Sequence, residues 1–589
     1  MLTFAPNKIT MLRRALPILQ WLPNYKKSYL SGDIAAGITV GVMLIPQGMA
    51  YAMIAGLPPV FGLYAALIPQ VVYALMGTSR QLAVGPVAMD SLLVASGLGA
   101  LSLSGIDEYI SMAIFLAFFM GSIQLLLGLF RMGFLVNFLS RPVISGFTSA
   151  AAIIIGLSQM KHLLGTDIPR SNQIHVLLKN TFLSLGEAHP VTLGIGLGAI
   201  LLMILSKRLN PKIPAALLVV VLGILGIYFL SPQIQGVQIV GNVPDGLPGF
   251  QWPELSLERM SELFPIAMAL ALIAFMEAIS VAKAVEEKHR DYELDANQEL
   301  IALGASNMVG SLFQSYPTTG GLSRTAVNDQ AGARTGMAAI ISALLVGLTL
   351  LFLTSLFYYL PQAVLAAIIM VAVIGLIDLK YPRELIRDRK DEFALLLITF
   401  VITLTIGIKE GILLGVLISL LLLVYRTSKP HIAILGRIRG TQYFKNIQRF
   451  SEDTEISGEI LVLRFDGQLY FGNQEYFKKE LYRHMAEKGP GLHYVILNAE
   501  AINYADSSAV QLLKRLIPEM KKKGITLMLA GAIGPLRDIL YSSGLIHEIG
   551  KENLFVNTAE AYEHCTASPT KSDIQDKLAT QSKNSSYVT

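Results

Sequence analysis

The sequence predicts a polytopic α-helical membrane protein of about fourteen spans, followed by a small α/β domain. Three observations point there. Of 589 residues, 53% are hydrophobic and only 15% charged, and the mean hydropathy is +0.54, outside the range of soluble globular chains. Apolar runs close to the ~20 residues that cross a ~30 Å hydrocarbon core recur from Ile34 to Arg426. Beyond Ser428-Lys-Pro430 the apolar runs shorten to strand length and charge rises to soluble levels.

The clearest runs cover residues 34–54, 112–130, 192–205, 213–230, 264–284, 337–359 and 393–425, the last divided by a short loop at Lys409-Glu410. Several carry Gly or Pro. Lys and Arg collect in alternate connections, at Lys26/Lys27, Arg80, Arg131/Arg141, Lys207/Arg208/Lys212, Lys283/Lys288/Arg290 and Lys380/Arg383/Arg387/Arg389/Lys390; between them, residues 231–265 carry only Arg259, and residues 161–187, with Lys161, Arg170 and Lys179, are a partial exception. Basic loops mark the cytoplasmic side, so an even number of spans with both termini in the cytoplasm is expected. No cleavable signal peptide is expected, because residues 1–27 are polar and basic before the first long apolar run. The single cysteine, Cys565, rules out an intramolecular disulfide and a cysteine-rich metal site.

In the soluble part, residues 460–465, 492–497 and 525–530 read as strands. Residues 507–523 and 536–543 read as helices, the second stopped by Gly544. Strand and helix alternate, which predicts an α/β domain. The expected division is a cytoplasmic N-terminal segment at 1–30, a transport domain at 31–428, a cytoplasmic domain at 429–565 and a disordered Ser/Thr/Lys/Gln-rich tail at 566–589.

Two places in the membrane part share one organisation. Residues 62–76 are apolar, then come Gly77-Thr-Ser-Arg80 and Ala83-Val-Gly-Pro-Val-Ala-Met89; residues 300–312 are apolar, then come Ser315-Tyr-Pro-Thr-Thr-Gly-Gly321 and Leu322-Ser-Arg-Thr-Ala-Val327. Each is an apolar helix, a Gly/Pro break and a segment too short to span alone. One such break is more often a kink than a binding site; two in matching context bring the readings level and point to a transporter with inverted repeats and a site near the midplane. Irregular chain at that depth must line a protein cavity, and a half-helix starting there offers free N–H groups and about +0.5 of charge. Arg324 adds a full positive charge. A snorkelling arginine is the competing reading, but Arg324 stands among Gly, Leu, Ser, Thr and Ala, where a central charge costs ~2.5–3.5 kcal/mol and needs a functional partner. The arrangement suits an anion.

At these residues the chain resembles the sulfate permease (SulP) family of anion transporters. The stretch Pro59-Val-Phe-Gly-Leu-Tyr-Ala-Ala66, continued through Val71-Val-Tyr73 to Gly77-Thr-Ser-Arg80, looks like the family signature. Leu44-Ile-Pro-Gln-Gly-Met-Ala-Tyr51, Asn297-Gln-Glu-Leu-Ile-Ala-Leu-Gly304 and Gly321-Leu-Ser-Arg-Thr-Ala-Val-Asn328 extend the likeness. Asn503-Tyr-Ala-Asp-Ser-Ser-Ala509 resembles the helix-start motif of a STAS domain. The resemblance implies about fourteen segments in two inverted seven-segment repeats, the core and gate domains of a UraA-like fold, usually as a homodimer. It also implies a substrate site between segment one and broken segments three and ten. Carried over by position, Gln47 and Tyr51 line it from segment one, Ala88 lies at the first half-helix start, and Gly321, Ser323 and Arg324 lie at the second. Ser507 occupies the place phosphorylated in anti-sigma-factor antagonists, a candidate regulatory site; helix capping by Asp506 is the simpler role there.

A lone carboxylate, Glu277, sits between Ala-Phe-Met and Ala-Ile-Ser. It reads either as one half of an ion pair with Lys283 or Arg324, or as a proton carrier, because burial disfavours a charged carboxyl and an adjacent arginine favours it. Coupling has an energetic rationale: moving a dianion inward against 100 mV costs about 4.6 kcal/mol. Protons are the expected coupling ion, with sodium the alternative and no other cofactor or metal. Asp90 is expected to bond a neighbouring helix, with a role in transport as the lesser alternative, His289 to be solvated in a loop, and Asn307, Asn328 and Asp329 to pack or cap helices.

The leading expectation is therefore a proton-coupled sulfate symporter of the bacterial inner (plasma) membrane, with bicarbonate or dicarboxylate as alternative substrates. The STAS domain is a candidate site for a cytoplasmic regulator. An anion exchanger, a channel or a nucleobase permease are competing classes, the last opposed by Arg324 and the STAS domain. Nucleic acid is not an expected partner, and no nucleophile–base constellation suggests an enzyme.

Overall fold

The computed structural model describes residues 15–99, 101, 103, 105–134, 140–169, 171, 173–209, 214–230, 236–254 and 257–567. The expected tail lies outside these residues except for Thr566 and Ala567, which close a helix. The start of the expected N-terminal segment, residues 1–14, also lies outside. The chain forms two units, Met1–Ser419 and Leu420–Thr589.

The membrane part begins with α1 (Lys27–Ala55), then α2 (Val60–Ala65) and α3 (Ile68–Met76). Strand β1 (Val84–Gly85) leads into α4 (Ala88–Gly99), followed by α5 (Ile106–Leu129), α6 (Arg141–Ser158), α7 (Pro190–Leu209) and α8 (Ala215–Leu230). The second half repeats the plan with α9 (Leu257–His289), α10 (Ala296–Ser311), β2 (Thr319–Gly320) leading into α11 (Leu322–Gln330), α12 (Met337–Phe352), α13 (Gln362–Ile374), α14 (Lys390–Thr405) and α15 (Ile408–Ser428). With α2 and α3 taken as one crossing, and each strand joined to its helix, both halves make seven crossings. Among the described residues, five helices are long and apolar enough to cross a membrane alone, among them 27–55, 106–129 and 259–289.

The expected single helix over 62–76 is broken at Ala66-Leu67, because Pro69 stands in the first turn of α3 and has no N–H to continue the ladder. The break lets α2 approach α1 closely. A Cβ on Gly62 would lie 1.9 Å from the Gly48 carbonyl oxygen, so the contact requires glycine.

Packing obeys an internal two-fold. Helix α1 packs on α12 as α9 packs on α5; α6 packs on α14 as α13 packs on α7; α4 packs on α9 as α11 packs on α1. Shifting both members by seven crossings turns each contact into its mate. The two halves meet at β1 and β2, which pair antiparallel with Val84 opposite Gly320 and Gly85 opposite Thr319, so the repeats are inverted. One group, α1–α5 with α9–α12, holds both broken segments; α6–α8 with α13–α15 form the other. The symmetry is incomplete. Helix α1 also packs on α8 and α13, whereas among the described residues its mate α9 makes no comparable contact with α15 or α6.

The second unit is a mixed sheet in the order β4-β3-β6-β7-β8-β9, with β5 beside β3. Its strands are β3 (Ile432–Ile438), β4 (Phe444–Asn446), β5 (Thr454–Glu455), β6 (Ile460–Phe465), β7 (Tyr494–Asn498), β8 (Thr526–Ala530) and β9 (Leu554–Phe555). Strands β6 to β9 run parallel and β3 runs antiparallel to β6. Helices α16 (Gln474–Lys488), α17 (Ser507–Lys522), α18 (Gly534–Ser542), α19 (Leu545–Ile549) and α20 (Thr558–Ala567) complete it. One face buries Phe465, Phe477, Leu512 and Leu540; the other buries Val462, Ile496 and Met528 against Ala561 and Cys565 of α20. Burial pushes the Cys565 thiol up to about 12, leaving an unreactive core group.

Candidate anion site

The two chain breaks cross one another, and their backbone groups are satisfied within the protein. Gly321 N–H donates to the Ala83 carbonyl at 3.0 Å, and Ala83 N–H donates to Thr325 Oγ1 at 3.0 Å. Asn307 of α10 brackets Thr318, accepting its N–H at 2.8 Å and donating to its carbonyl at 3.0 Å. Thr319 Oγ1 donates to the Ala274 carbonyl of α9 at 2.7 Å. Irregular backbone persists at this depth because these partners replace the missing ladder. Asn307, expected only to pack or cap, therefore fixes the second break.

From this crossing α4 and α11 start at Ala88 and Leu322, each offering first-turn N–H groups that its own helix cannot use. Leu322 and Ser323 are exposed despite their place within the bundle, so α11 opens onto a space rather than onto packed protein. Arg324 is 2% exposed. Its Nη1 donates to the Pro86 carbonyl at 2.6 Å, while Nε and Nη2 have no protein partner. A buried guanidinium with two free edges is incomplete without an anion.

Glu277 on α9 and the hydroxyls of Tyr51 and Tyr316 lie within electrostatic reach of Arg324. Glu277 is half-buried, its Oε2 has no partner, and among the described residues it makes no ion pair. The expected alternative of a fixed pair with Lys283 or Arg324 is corrected here: the arginine's one bond goes to a carbonyl of the opposite half. Gln47 and Tyr51, one turn apart on α1, are 9% and 7% exposed, and Ala88 and Gly321 are buried. Tyr51 shares the field of Arg324 and Glu277.

Asp90, in the first turn of α4, is fully buried with neither oxygen hydrogen-bonded. The expected bond to a helix partner is absent, while its neighbour Ser91 bonds the Tyr316 hydroxyl at 3.1 Å. The expectation for His289 is also corrected. Helix α9 extends to His289, so the imidazole lies against α11 and bonds Asp329, which Lys288 also reaches at 2.5 Å. Sequence reasoning missed Glu299 as well. Its carboxylate accepts from Tyr73 Oη at 2.6 Å, from Thr78 N–H and Oγ1 at 2.6 Å each, and from Ser79 N–H at 3.2 Å, fastening α10 to the approach of the first break. An acid adjoining Gln298 in an otherwise apolar helix was the available signal.

Residues 30–399 match the model of the sulfate permease family, and residues 451–561 match that of the STAS domain. The chain belongs to the sulfate permease family. This is a family of multi-pass membrane transporters, not of enzymes. Over 579 residues it is 38% identical to sulfate transporter 4.1, chloroplastic, of Arabidopsis thaliana, covering 95% of this chain and 84% of that one. It is 32% identical to high affinity sulfate transporter 2 of Stylosanthes hamata, covering 93% and 86%. The structure of the murine anion transporter Slc26a9 in the inward-facing state superposes with a TM-score of 0.88 at 26% identity over 96% of each chain. The transmembrane domain of the cyanobacterial bicarbonate transporter BicA covers 67% of this chain and 98% of its own with a TM-score of 0.58 at 24% identity; that likeness concerns the fold alone.

In the soluble unit, Asp506 caps α17 by accepting from Ala509 N–H at 2.8 Å and also accepts from Phe471 N–H at 2.9 Å. Ser507 follows it, exposed at the first helical position. A surface cleft of about 340 Å³ beside β3 and β6 is lined by Lys445, Arg449, His431 and Arg464; Asp466 pairs with the last two at 2.9 and 2.6 Å.

Proposed function

We propose that the transporter imports sulfate together with protons by alternating access. The observation that carries this reading is Arg324: buried, bound on one edge to Pro86, free on two others, and set beside two half-helix starts. The helix ends supply about +1 together and the guanidinium another +1, which suits a small dianion. The names of the curated relatives support sulfate. Gln47, Tyr51, Ala88, Gly321 and Ser323 would line the site. Glu277 would carry the proton, since its Oε2 is unpartnered within the field of the same arginine.

Inward movement of a dianion against 100 mV costs about 4.6 kcal/mol without a compensating cation, so a coupled proton offsets part of that cost. The unequal packing of α1 and α9 on the second helical group supports a closure that alternates between the two ends. By the same reading the protein is a homodimer of the bacterial plasma membrane with both termini in the cytoplasm. Its STAS domain would take a regulator or a phosphate on Ser507.

Uptake of labelled sulfate, bicarbonate and fumarate into proteoliposomes, under imposed pH or sodium gradients, tests this. Sulfate should accumulate when the outside is acidic and should be competed poorly by the other two. The Glu277→Gln variant should lose proton-driven accumulation while anion exchange continues. Accumulation of bicarbonate or fumarate in place of sulfate would refute the substrate assignment. Drive by sodium alone would refute the coupling.

A further inference from the structure

We infer that Asp90 is a second proton-binding group of the transport cycle, so that each sulfate moves with two protons. This rests on the proton-coupled reading above and adds to it a residue and a stoichiometry.

The geometry is specific. Asp90 is wholly buried, with both carboxyl oxygens lacking a protein donor. An ionised carboxylate is not sustained in such surroundings without a cation or a proton. It stands in the first turn of the half-helix whose start faces the site. The groups that share its surroundings are few: Glu277 reaches it electrostatically from α9, and Tyr316 does so from the connection ahead of β2. Helix α11 contributes Arg324, and α1 contributes Tyr51, both coupled to Glu277 or Tyr316. Helices α5 and α6 also pack on α4; their charged groups are Asp107 and Glu108 at the start of α5 and Arg141 at the start of α6, the last lying over the Tyr381 ring at 4.3 Å, and none of the three reaches Asp90 electrostatically. Among the described residues, Arg324 is the one basic side chain within electrostatic reach of Glu277, none reaches Asp90, and Arg324 makes no ion pair with either.

Charge counting shows what a second proton achieves. With both carboxyls ionised, Arg324 and two helix ends at about +0.5 each balance them, and the empty site is close to neutral. With both protonated, the same positive charge of about +2 balances a bound dianion, and the loaded site is again close to neutral. Neither form then carries net charge through the membrane field as it reorients. If Glu277 alone titrated, each cycle would move one net negative charge inward, opposed by about 2.3 kcal/mol per 100 mV.

The test uses the full chain in proteoliposomes with potential clamped by potassium and valinomycin, reading the equilibrium accumulation of labelled sulfate against the imposed pH difference. Two protons per sulfate predict about 100-fold accumulation per pH unit, tenfold for each proton, with no dependence on potential. Asp90→Asn should fall to about tenfold per unit and acquire a dependence on potential, and Asp90→Glu should restore the steeper slope. A wild-type slope of one proton, an unchanged slope in Asp90→Asn, or accumulation driven by sodium at zero pH difference would overturn the inference. The wild-type slope and its indifference to potential decide the matter even if Asp90→Asn does not fold. A slope of one leaves the proton-coupled reading standing; no response to pH at all removes both.

Discussion

The two half-helices that meet at the crossing are built alike and equipped differently. Aligning Gly85 with Gly320 sets Pro86 against Gly321, Ala88 against Ser323, Met89 against Arg324 and Asp90 against Thr325. The backbone device is the same on both sides: a two-residue strand, then a helix whose first N–H groups face inward. The first half brings a neutral thioether and an acid. The second brings a guanidinium and two hydroxyls. Duplication therefore accounts for the shape of the pocket, while divergence divides the work between holding the anion and exchanging protons. Even the contact between them is unequal, since Arg324 of one half rests on the Pro86 carbonyl of the other.

The most disruptive way to break this division is to remove the charge that one half alone supplies. Arg324→Gln should cost about 10²- to 10³-fold in sulfate transport, the scale seen when one partner of a buried charge pair is lost. Arg324→Lys should recover little, because a point ammonium cannot both hold the Pro86 carbonyl and present two free edges. The apo protein should unfold thermally at the same or a higher temperature in Arg324→Gln, since a buried, under-partnered charge is a cost to the fold. Transport initial rates and a thermal melt without sulfate check both. A large loss of stability would mean that the arginine is a structural group, and the contrast with Met89 would lose its meaning.

How legible this was in the sequence differs between the two halves. Arg324 was readable because a lone cation in a membrane segment has few benign explanations. The chain breaks were readable because Gly and Pro interrupt apolar runs at matching places. Asp90 was harder, since a short acid at a helix start is ordinarily a cap; its isolation lies in the tertiary fold, where neither oxygen finds a partner and the Tyr316 hydroxyl bonds Ser91, a contact across 225 residues. Glu299 and Asn307 were seen only as motif members or packing groups, because their partners at residues 73–79 and 318 are set by the tertiary fold rather than by helical spacing. In the soluble unit, β6, β7 and β8 are legible in the sequence, whereas β3, β4, β5 and β9 are not. Strand β3 starts at Ile432, close behind the last membrane helix and the Ser428-Lys-Pro430 boundary, and β5 and β9 are two residues each, too short to show an alternating pattern.

A gentler way to sharpen the comparison is at Gly321, which the first half replaces with Pro86. A Cβ at Gly321 would lie 2.9 Å from Cζ and Nη2 of Arg324. The atoms in the way belong to the far end of a flexible side chain, so the fold survives and the guanidinium moves. An off-rotamer arginine costs on the order of 0.5–1.5 kcal/mol, so Gly321→Ala should raise the sulfate KM by about 2- to 10-fold with an unchanged melting temperature. In the first half the counterpart of Arg324 is Met89, whose sulfur lies 3.7 Å from the Thr148 hydroxyl of α6. An unchanged KM in Gly321→Ala would show that the arginine's seat tolerates displacement, and that the glycine serves the strand crossing instead.

The smallest effect is expected at the hydroxyl bridge between the halves, from Ser91 of α4 to Tyr316 ahead of β2 at 3.1 Å. Both side chains are fully buried, so removing one hydroxyl leaves the other unpartnered, at a cost of about 1–3 kcal/mol. Removing both should cost little more than removing one, because no orphan then remains. Tyr316→Phe and Ser91→Ala should each lower stability by roughly that amount, and the double variant should show a coupling of about 1 kcal/mol in a double-mutant cycle. Transport should change only a few-fold, since neither hydroxyl supplies net charge. Additive losses would mean that the two hydroxyls bond elsewhere, and Ser91 would then not compete with Asp90 for the Tyr316 hydroxyl.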